Sequence, residues 1–390
     1  MDPITHGIAG SLLGKAFFEK REGRIATYAS ILGAVFPDVD VFVEMFARDP
    51  LSVIRYHRGF THSYFGLPIF AVILAGLTRW VFRRRGAPSF WMLSLIYAVG
   101  IASHILMDST TSFGTRIWNP FSSERLFWDL VFIVDFSFTA ILLAPQVAAW
   151  VFHDRGRARA RGWIAWIAFN LGAIAGWGLA TALGFSFHSW ILAILAAIFA
   201  AVFILPRAGG AGFLISQETW CRAGILIALA YIAACGVAHR MALTRVEVFA
   251  AENHLDVMRL GAIPSPPSLL EWSLKVRVAD GVYQARYDLR DPKPPVFQFA
   301  ADSPHDAYVN EAMNLPDARV YLWFARFPVI RAHAAGDNHV VDFSDSRFAD
   351  PGRRLPEPFK LRFVLNPEGR LVEEEWSEGA AGLRSRRALE

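Results

Sequence analysis

Charge is scarce in this sequence: 19% of its 390 residues are Asp, Glu, Lys or Arg, against 54% hydrophobic, and the mean hydropathy is +0.31. A soluble domain of ordinary composition carries about 25% charged residues, so a chain this apolar asks for a bilayer as solvent. Cysteine is scarcer still. Cys221 and Cys235 both fall in one apolar run, which argues against a thiolate metal site or a disulfide. The start, MDPITHGIAGSLLGKAFF, lacks a basic n-region and a small-residue cleavage site, so it is expected to stay in the mature chain. No internal repeat or long low-complexity tract occurs. The net charge of +4 and pI near 9.2 do not point to nucleic acid, because the basic residues cluster between apolar runs, the pattern that orients membrane helices.

What is present divides unevenly. Six runs are long enough to span roughly 20 residues of hydrocarbon core: 64–82, 91–107, 128–152, 163–185, 187–205 and 220–238. Trp91, Trp128, Trp163 and Trp220 stand at run starts, where amphipathic rings favour the interface. Two shorter runs, 4–18 and 25–36, are helical in pattern, with Asp2 and Pro3 suited to the N-cap and first position of the first. The expectation is an α-helical polytopic membrane bundle of about eight helical segments followed by a small, mainly β soluble domain. Its parts are 1–145 with the candidate site, 146–240 with further transmembrane helices, and 241–390.

Lys20, Arg21 and Arg24, then Arg83, Arg84 and Arg85, then Arg155, Arg157, Arg159 and Arg161, then Arg207 and Arg222, mark loops that alternate to one side. The excess of basic residues in cytoplasmic loops makes that side cytoplasmic. The N-terminus, the loops 37–63 and 108–127 and the C-terminal domain then face outward, although Arg48, Arg55, Arg58, Arg116 and Arg125 lie in those outward loops. Beyond Arg245, alternation predicts strands over 272–279, 282–289, 318–330, 339–343 and 359–365. IPSPPS (263–268) reads as a stiff connector.

Potential metal ligands recur where a membrane protein least tolerates them without purpose: His6; Asp38 and Asp40 in FPDVD; His57 and His62 in HRGFTHS; His104 and Asp108 in SHILMD. By the topology above, all seven arrive at one face. His104 and Asp108, four apart, share a helix face. Pro37 is expected to hold Asp38 and Asp40 in an extended turn where alternate residues point the same way. Gly59 lets the backbone turn between His57 and His62. Imidazole with carboxylate suits zinc, manganese or iron. Arg58 could neutralise a developing anion, and Asp38 or Asp40 could serve as general base. Thr61, Ser63, Arg116, Asn119, Asp129 and Asp135 are secondary candidates, the two aspartates pairing with Arg116 or Arg125 on a structural reading. Each group also has a bland alternative: a dipole-facing or interfacial histidine, a capping aspartate, an arginine on lipid phosphate.

The order MDPITH, FPDVD, HRGFTHS and SHILMDSTTSFGTRIWNPF resembles the YdjM family over roughly residues 1–145. That resemblance implies a bacterial or archaeal inner-membrane protein with metal-dependent hydrolase activity, the family's substrate being unestablished. A more distant likeness is to zinc-dependent phospholipase C and P1-type nucleases, whose H-x-x-x-D pair His104 and Asp108 match; His6, Asp38 and His57 would stand for further ligands. A later H-x-x-x-E pair is missing, which puts a three-metal cluster and nuclease activity in doubt.

The resulting expectation is a membrane-bound hydrolase whose divalent metal is held by His6, Asp38, Asp40, His57, His62, His104 and Asp108, with Asp40 and Arg58 as catalytic residues. Membrane lipids and a small-molecule or lipid-linked phosphoester are its expected partners, and nucleic acid is not. The rival is a non-enzymatic scaffold or metal-sensing protein with an outward β domain. A transporter is a third reading, against which the later helices lack paired intramembrane charges.

Overall fold

The computed structural model describes residues 1–47, 49, 51–82, 88–182, 189–207, 210–349, 358–377 and 384–387. Arg48, Arg83, Arg84, Arg85 and the expected helix ends at 183–188 lie outside the described residues. In chain order the helices are α1 (Pro3–Phe17), α2 (Glu19–Glu22), α3 (Arg24–Val35), α4 (Asp40–Phe46), α5 (Ser52–Tyr56), α6 (Gly66–Val81), α7 (Phe90–Ser109), α8 (Phe136–Phe152), α9 (Ala158–Ala182), α10 (Trp190–Phe203) and α11 (Gln217–Glu252). Strands β1 (Arg259–Ser265), β2 (Glu271–Val278), β3 (Gly281–Asp288) and β4 (Gln298–Ala301) come next. Helices α12 (Ala307–Asn314) and α13 (Pro316–Phe324) then precede β5 (Pro328–Ala335), β6 (Asn338–Asp345), β7 (Lys360–Leu365), β8 (Leu371–Ser377) and β9 (Arg384–Arg387).

Among the described residues four helical segments are long and apolar enough to cross a membrane: Arg24–Val43, Phe90–Ser109, Ala158–Ala182 and Gln217–Glu252. The bent pair Ser52–His62 and Gly66–Val81 makes a fifth if counted as one span, and Phe136–Phe152 and Trp190–Phe203 are shorter apolar helices. The chain separates into two compact units, Met1–Asp40 with Arg58–Cys235, and Val41–His57 with Gly236–Glu390.

In the first unit small residues set the helix spacing. A Cβ on Gly10 of α1 would come within 2.7 Å of Ala34 Cβ and Ser30 O on α3, and one on Gly100 of α7 within 2.7 Å of Ser30 O. Backbones that approach this closely pack well without a hydrophobic driving force between helices. Around them Ala26, Ala29, Ala71, Ala75, Leu93, Ile96 and Ile101 form one buried cluster. The apolar run from Trp128 becomes helical only at Phe136, because the Asp135 carboxylate caps α8 by accepting from the backbone of Ser137 (2.8 Å) and Phe138 (3.1 Å). The Tyr231 hydroxyl donates to its second oxygen at 2.7 Å.

In the second unit the strands form two antiparallel sheets, ordered β1-β2-β3-β4 and β5-β6-β7-β8-β9. Ala238, Ala242, Val246 and Ala250, one stripe of α11, pack with Trp272, Leu274 and Val276 of β2. Two expectations change. IPSPPS contributes Ile263, Pro264 and Ser265 to β1, an edge strand, where a proline's missing donor is tolerated. The stretch 318–324 is helical: Pro316 and Asp317 open α13, and Ala318, Tyr321 and Phe324 are buried at helical spacing, with the strand starting at Pro328.

Asp342 on β6 sits opposite Arg362 on β7, accepting at 2.7 and 3.2 Å from its guanidinium, and Lys360 Nζ lies 3.0 Å away. Burial alone would raise this carboxyl, but Arg362 and Lys360 outweigh it and hold it below the usual carboxylate range. A depressed native value means the stabilisation is complete above the unfolded value near about 4 and is lost as pH falls through the lower native one. Asp342→Asn should therefore cost about 1–3 kcal/mol near neutral pH. In thermal melts the gap between variant and parent should narrow as pH drops below about 4; a gap independent of pH would show that the ion pair contributes nothing.

Candidate metal centre

The centre is built where helices of the first unit end. Residues Phe36–Val39 continue α3 as a 3-10 turn, which brings Asp38 to the end of that helix. Residues Phe60–His62 form a second 3-10 turn before α6. His104 and Asp108 sit on the last turns of α7, and His6 on the first turns of α1. His6, His62, His104 and Asp108 are buried.

One atom from each of Asp38, His62, His104 and Asp108 lies within 4.8 Å of every other. His62 Nε2 is 3.0 Å from His104 Nε2, 3.5 Å from Asp38 Oδ1 and 3.3 Å from Asp108 Oδ2. His104 Nε2 is 3.4 Å from Asp38 Oδ1 and 3.5 Å from Asp108 Oδ2. A tetrahedron with bonds of about 2.0–2.1 Å has edges of about 3.3–3.4 Å, and these five separations fall around that value.

The outer contacts explain why both Nε2 atoms point inward. His104 Nδ1 donates to the Ala34 carbonyl at 2.7 Å, an acceptor left over at the C-terminal end of α3. His62 Nδ1 faces the Asp40 carboxylate at 3.3 Å and the Thr61 hydroxyl at 3.0 Å. A ring nitrogen that spends its proton on a carbonyl or carboxylate presents the other as a lone pair, the arrangement that orients metal-binding histidines. Two such nitrogens 3.0 Å apart, beside two carboxylates, call for a proton or a metal cation between them. Asp38 Oδ2 also has no hydrogen-bond partner among the described residues. By donor chemistry and spacing the four residues fit a divalent cation.

Arg58 anchors the assembly from behind. Its backbone is left-handed, with φ of 56°, so the tight turn expected at Gly59 falls one residue earlier. The Arg58 amide donates to Asp40 Oδ2 at 3.0 Å. Its buried guanidinium lies 2.9 Å from Asp108 Oδ2, donates to Thr111 Oγ1 at 2.8 Å and packs over Phe113. Asp40, which also accepts from Thr61 Oγ1 at 3.2 Å, is turned toward His62 Nδ1. Asp38 and Asp40 therefore do not point the same way: FPDV is a 3-10 turn of about three residues per turn, so residues two apart diverge.

His6 stacks on His104 with centroids 3.7 Å apart and puts Nε2 3.2 Å from Asp108 Oδ1, where the Met1 nitrogen also lies. His57 caps the C-terminal end of α5 in the second unit and is not one of the four converging residues. The Ala34 carbonyl and Thr111 were missed from sequence; the first carries no side-chain signal, though the unpaired carbonyls at the end of α3 were a place to look.

Residues 1–185 match the family described as YdjM inner membrane protein. Over 142 residues, 34% of this chain and 77% of the relative, the chain is 32% identical to Inner membrane protein YbcI of Escherichia coli (strain K12). Over 158 residues it is 27% identical to Uncharacterized protein YfhP of Bacillus subtilis (strain 168), covering 38% of this chain and 46% of that protein. No solved structure matches, so the likeness to phospholipase C and P1-type nucleases has no structural support.

Removing the Arg58 cation leaves the Asp108 carboxylate buried without its guanidinium. Arg58→Gln should lower stability by about 3–5 kcal/mol, read as a drop in Tm of the detergent-solubilised protein; an unchanged Tm would show that Asp108 does not depend on Arg58.

Proposed function

This chain belongs to the YdjM inner membrane protein family, and from that premise we propose that it is a membrane-bound, metal-dependent hydrolase acting on a phosphoester or lipid-linked substrate at the bilayer surface. The observation that carries this reading is the convergence of four acceptor atoms, from Asp38, His62, His104 and Asp108, within 4.8 Å of one another. A divalent ion held there, zinc on this reading, would supply a Lewis acid that polarises a phosphoryl oxygen and acidifies water.

The remaining steps belong to the chain's own groups. Asp40 faces Nδ1 of His62 and the Ala34 carbonyl accepts from Nδ1 of His104, so both rings keep Nε2 turned toward the cluster. Arg58 fixes the Asp108 carboxylate. In these roles Asp40 and Arg58 are positioning residues, and either acts directly on substrate, as base or charge stabiliser, only by leaving its present partner. The Asp38 side chain is 17% exposed while those of His62, His104 and Asp108 are at most 1% exposed, so water and substrate approach from the Asp38 side. The basic loops support an orientation in which this face and the C-terminal domain lie outside the cytoplasm.

One observation favours the non-enzymatic reading. Four protein donors complete a tetrahedral shell, and closed shells mark structural rather than catalytic ions. The two readings separate in one experiment. The purified protein should contain about one divalent ion per chain, most of it lost in His62→Ala and Asp108→Asn, because a tetrahedral shell lacking one donor binds weakly. Metal-loaded protein should hydrolyse some member of a panel of phosphodiesters and phospholipids, and the variants none. A full metal complement without turnover supports the structural ion, and protein that takes up no metal refutes both. A reporter enzyme active only outside the cytoplasm, joined to the C-terminal domain, should be active; silence there, with activity from a cytoplasmic reporter, reverses the orientation.

A further inference from the structure

The exposed face of α6 is ordered by depth. Ile69, Val72, Ile73 and Leu77 form one exposed aliphatic stripe at helical spacing, and it ends in aromatics at both ends: Phe65 just before the helix, Trp80 in its last turn. Sixteen residues of helix span about 24 Å at 1.5 Å per residue, close to the hydrocarbon thickness of about 30 Å once the flanking rings are added.

Neighbouring elements repeat the pattern. At the Trp80 end, Trp91 in the first turn of α7 is exposed. At the Phe65 end, Tyr64 packs edge-on against Trp118 with centroids 5.5 Å apart, and Phe65 against Phe121 at 4.7 Å. The Tyr64 amide donates to the Ile117 carbonyl at 3.0 Å, which ties this loop to the turn carrying His62. Trp118 is 50% and Phe121 78% exposed. Rings this large left bare in pairs have one ready partner in a membrane protein, the boundary layer where an apolar body and a polar tip are both satisfied.

We propose that Tyr64, Phe65, Trp118 and Phe121 form a collar whose partner is the glycerol and headgroup layer of the bilayer. The collar starts two residues after His62, and Asp108 lies at the same end of α7. The Asp38, His62, His104 and Asp108 cluster is thereby held at headgroup depth, within reach of lipid-borne groups and away from both the membrane centre and bulk water. This placement needs neither bound metal nor turnover, so it stands or fails separately from the hydrolytic reading.

The near absence of cysteine makes the test direct, since Cys221 and Cys235 are free and buried. In a Cys221→Ala, Cys235→Ala background of the full chain, single cysteines replacing Phe65, Ile73, Trp80 or Phe121 are spin-labelled in vesicles of phosphatidylethanolamine and phosphatidylglycerol. Collision with oxygen and with a water-soluble nickel chelate gives the depth of each. The label at 73 should see oxygen and little nickel; those at 65, 80 and 121 should see both, at a depth between that of 73 and bulk water. Labels at 65 and 121 as deep as 73, fully in water, or shielded from both reagents by a protein partner would overturn the proposal. If the cysteine variants fail to fold, Trp118→Phe in the otherwise unaltered chain should remove part of the fluorescence quenching by lipids brominated near the headgroup and none of that by lipids brominated at the chain ends. No loss of shallow quenching would equally overturn it.

Discussion

The Nε2 atoms of His62 and His104 face each other 3.0 Å apart in the interior of the first unit, and most of what surrounds them follows from that. Each ring is turned this way because its other nitrogen has spent a proton, on Ala34 O in one case and toward Asp40 and Thr61 in the other. Buried acceptors without donors cost free energy unless something positive compensates them. Arg58 compensates on the Asp108 side. The contact of Gly100 with α3 matters for the same reason: only with the α7 and α3 backbones this close does an imidazole on α7 reach a carbonyl on α3.

Much of the centre was legible because its geometry is local. The four-residue step from His104 to Asp108 fixes a shared helix face whatever the rest of the chain does. The placement of seven residues at one membrane face is an expectation from the alternation of apolar runs and basic loops; of the seven, Asp38, His62, His104 and Asp108 converge. What failed depended on backbone conformation that composition does not specify. FPDVD was read as extended, where alternate side chains agree; it winds as a 3-10 turn, and Asp38 and Asp40 part company, one to the four-atom cluster and the other behind His62. The left-handed residue in HRGFTHS is Arg58, not Gly59, and it is held there by contacts to Asp40, Asp108 and Thr111 that are 18, 50 and 53 residues away.

The fold shows the same division between local and distant causes. Each of the eight apolar runs corresponds to a helix, because a bilayer permits little else. The start of α8 was misplaced by the stretch before Asp135, which is apolar enough to resemble a span but is not helical. In the second unit, ARVYLWF alternates well enough to pass for a strand. The arbiter is the Pro-Asp pair at 316–317, which presets the first turn of a helix and lets Ala318, Tyr321 and Phe324 share one buried face. The prolines of IPSPPS suggested a stiff spacer, yet an edge strand tolerates proline at little cost.

The division of labour along the chain follows from where the cluster residues stop. The residues that build the four-atom cluster and those that orient it, Ala34, Asp40, Arg58, Thr61 and Thr111, all fall before residue 112, inside the 1–185 segment that matches the family. Strands β1 to β9 and all of α11 lie beyond it. Any chemistry at the centre therefore belongs to the part of the chain shared with the family. The second unit includes residues 41–57. The chain leaves the first unit after Asp40 and returns to it at Arg58, the residues between clustering with the second unit.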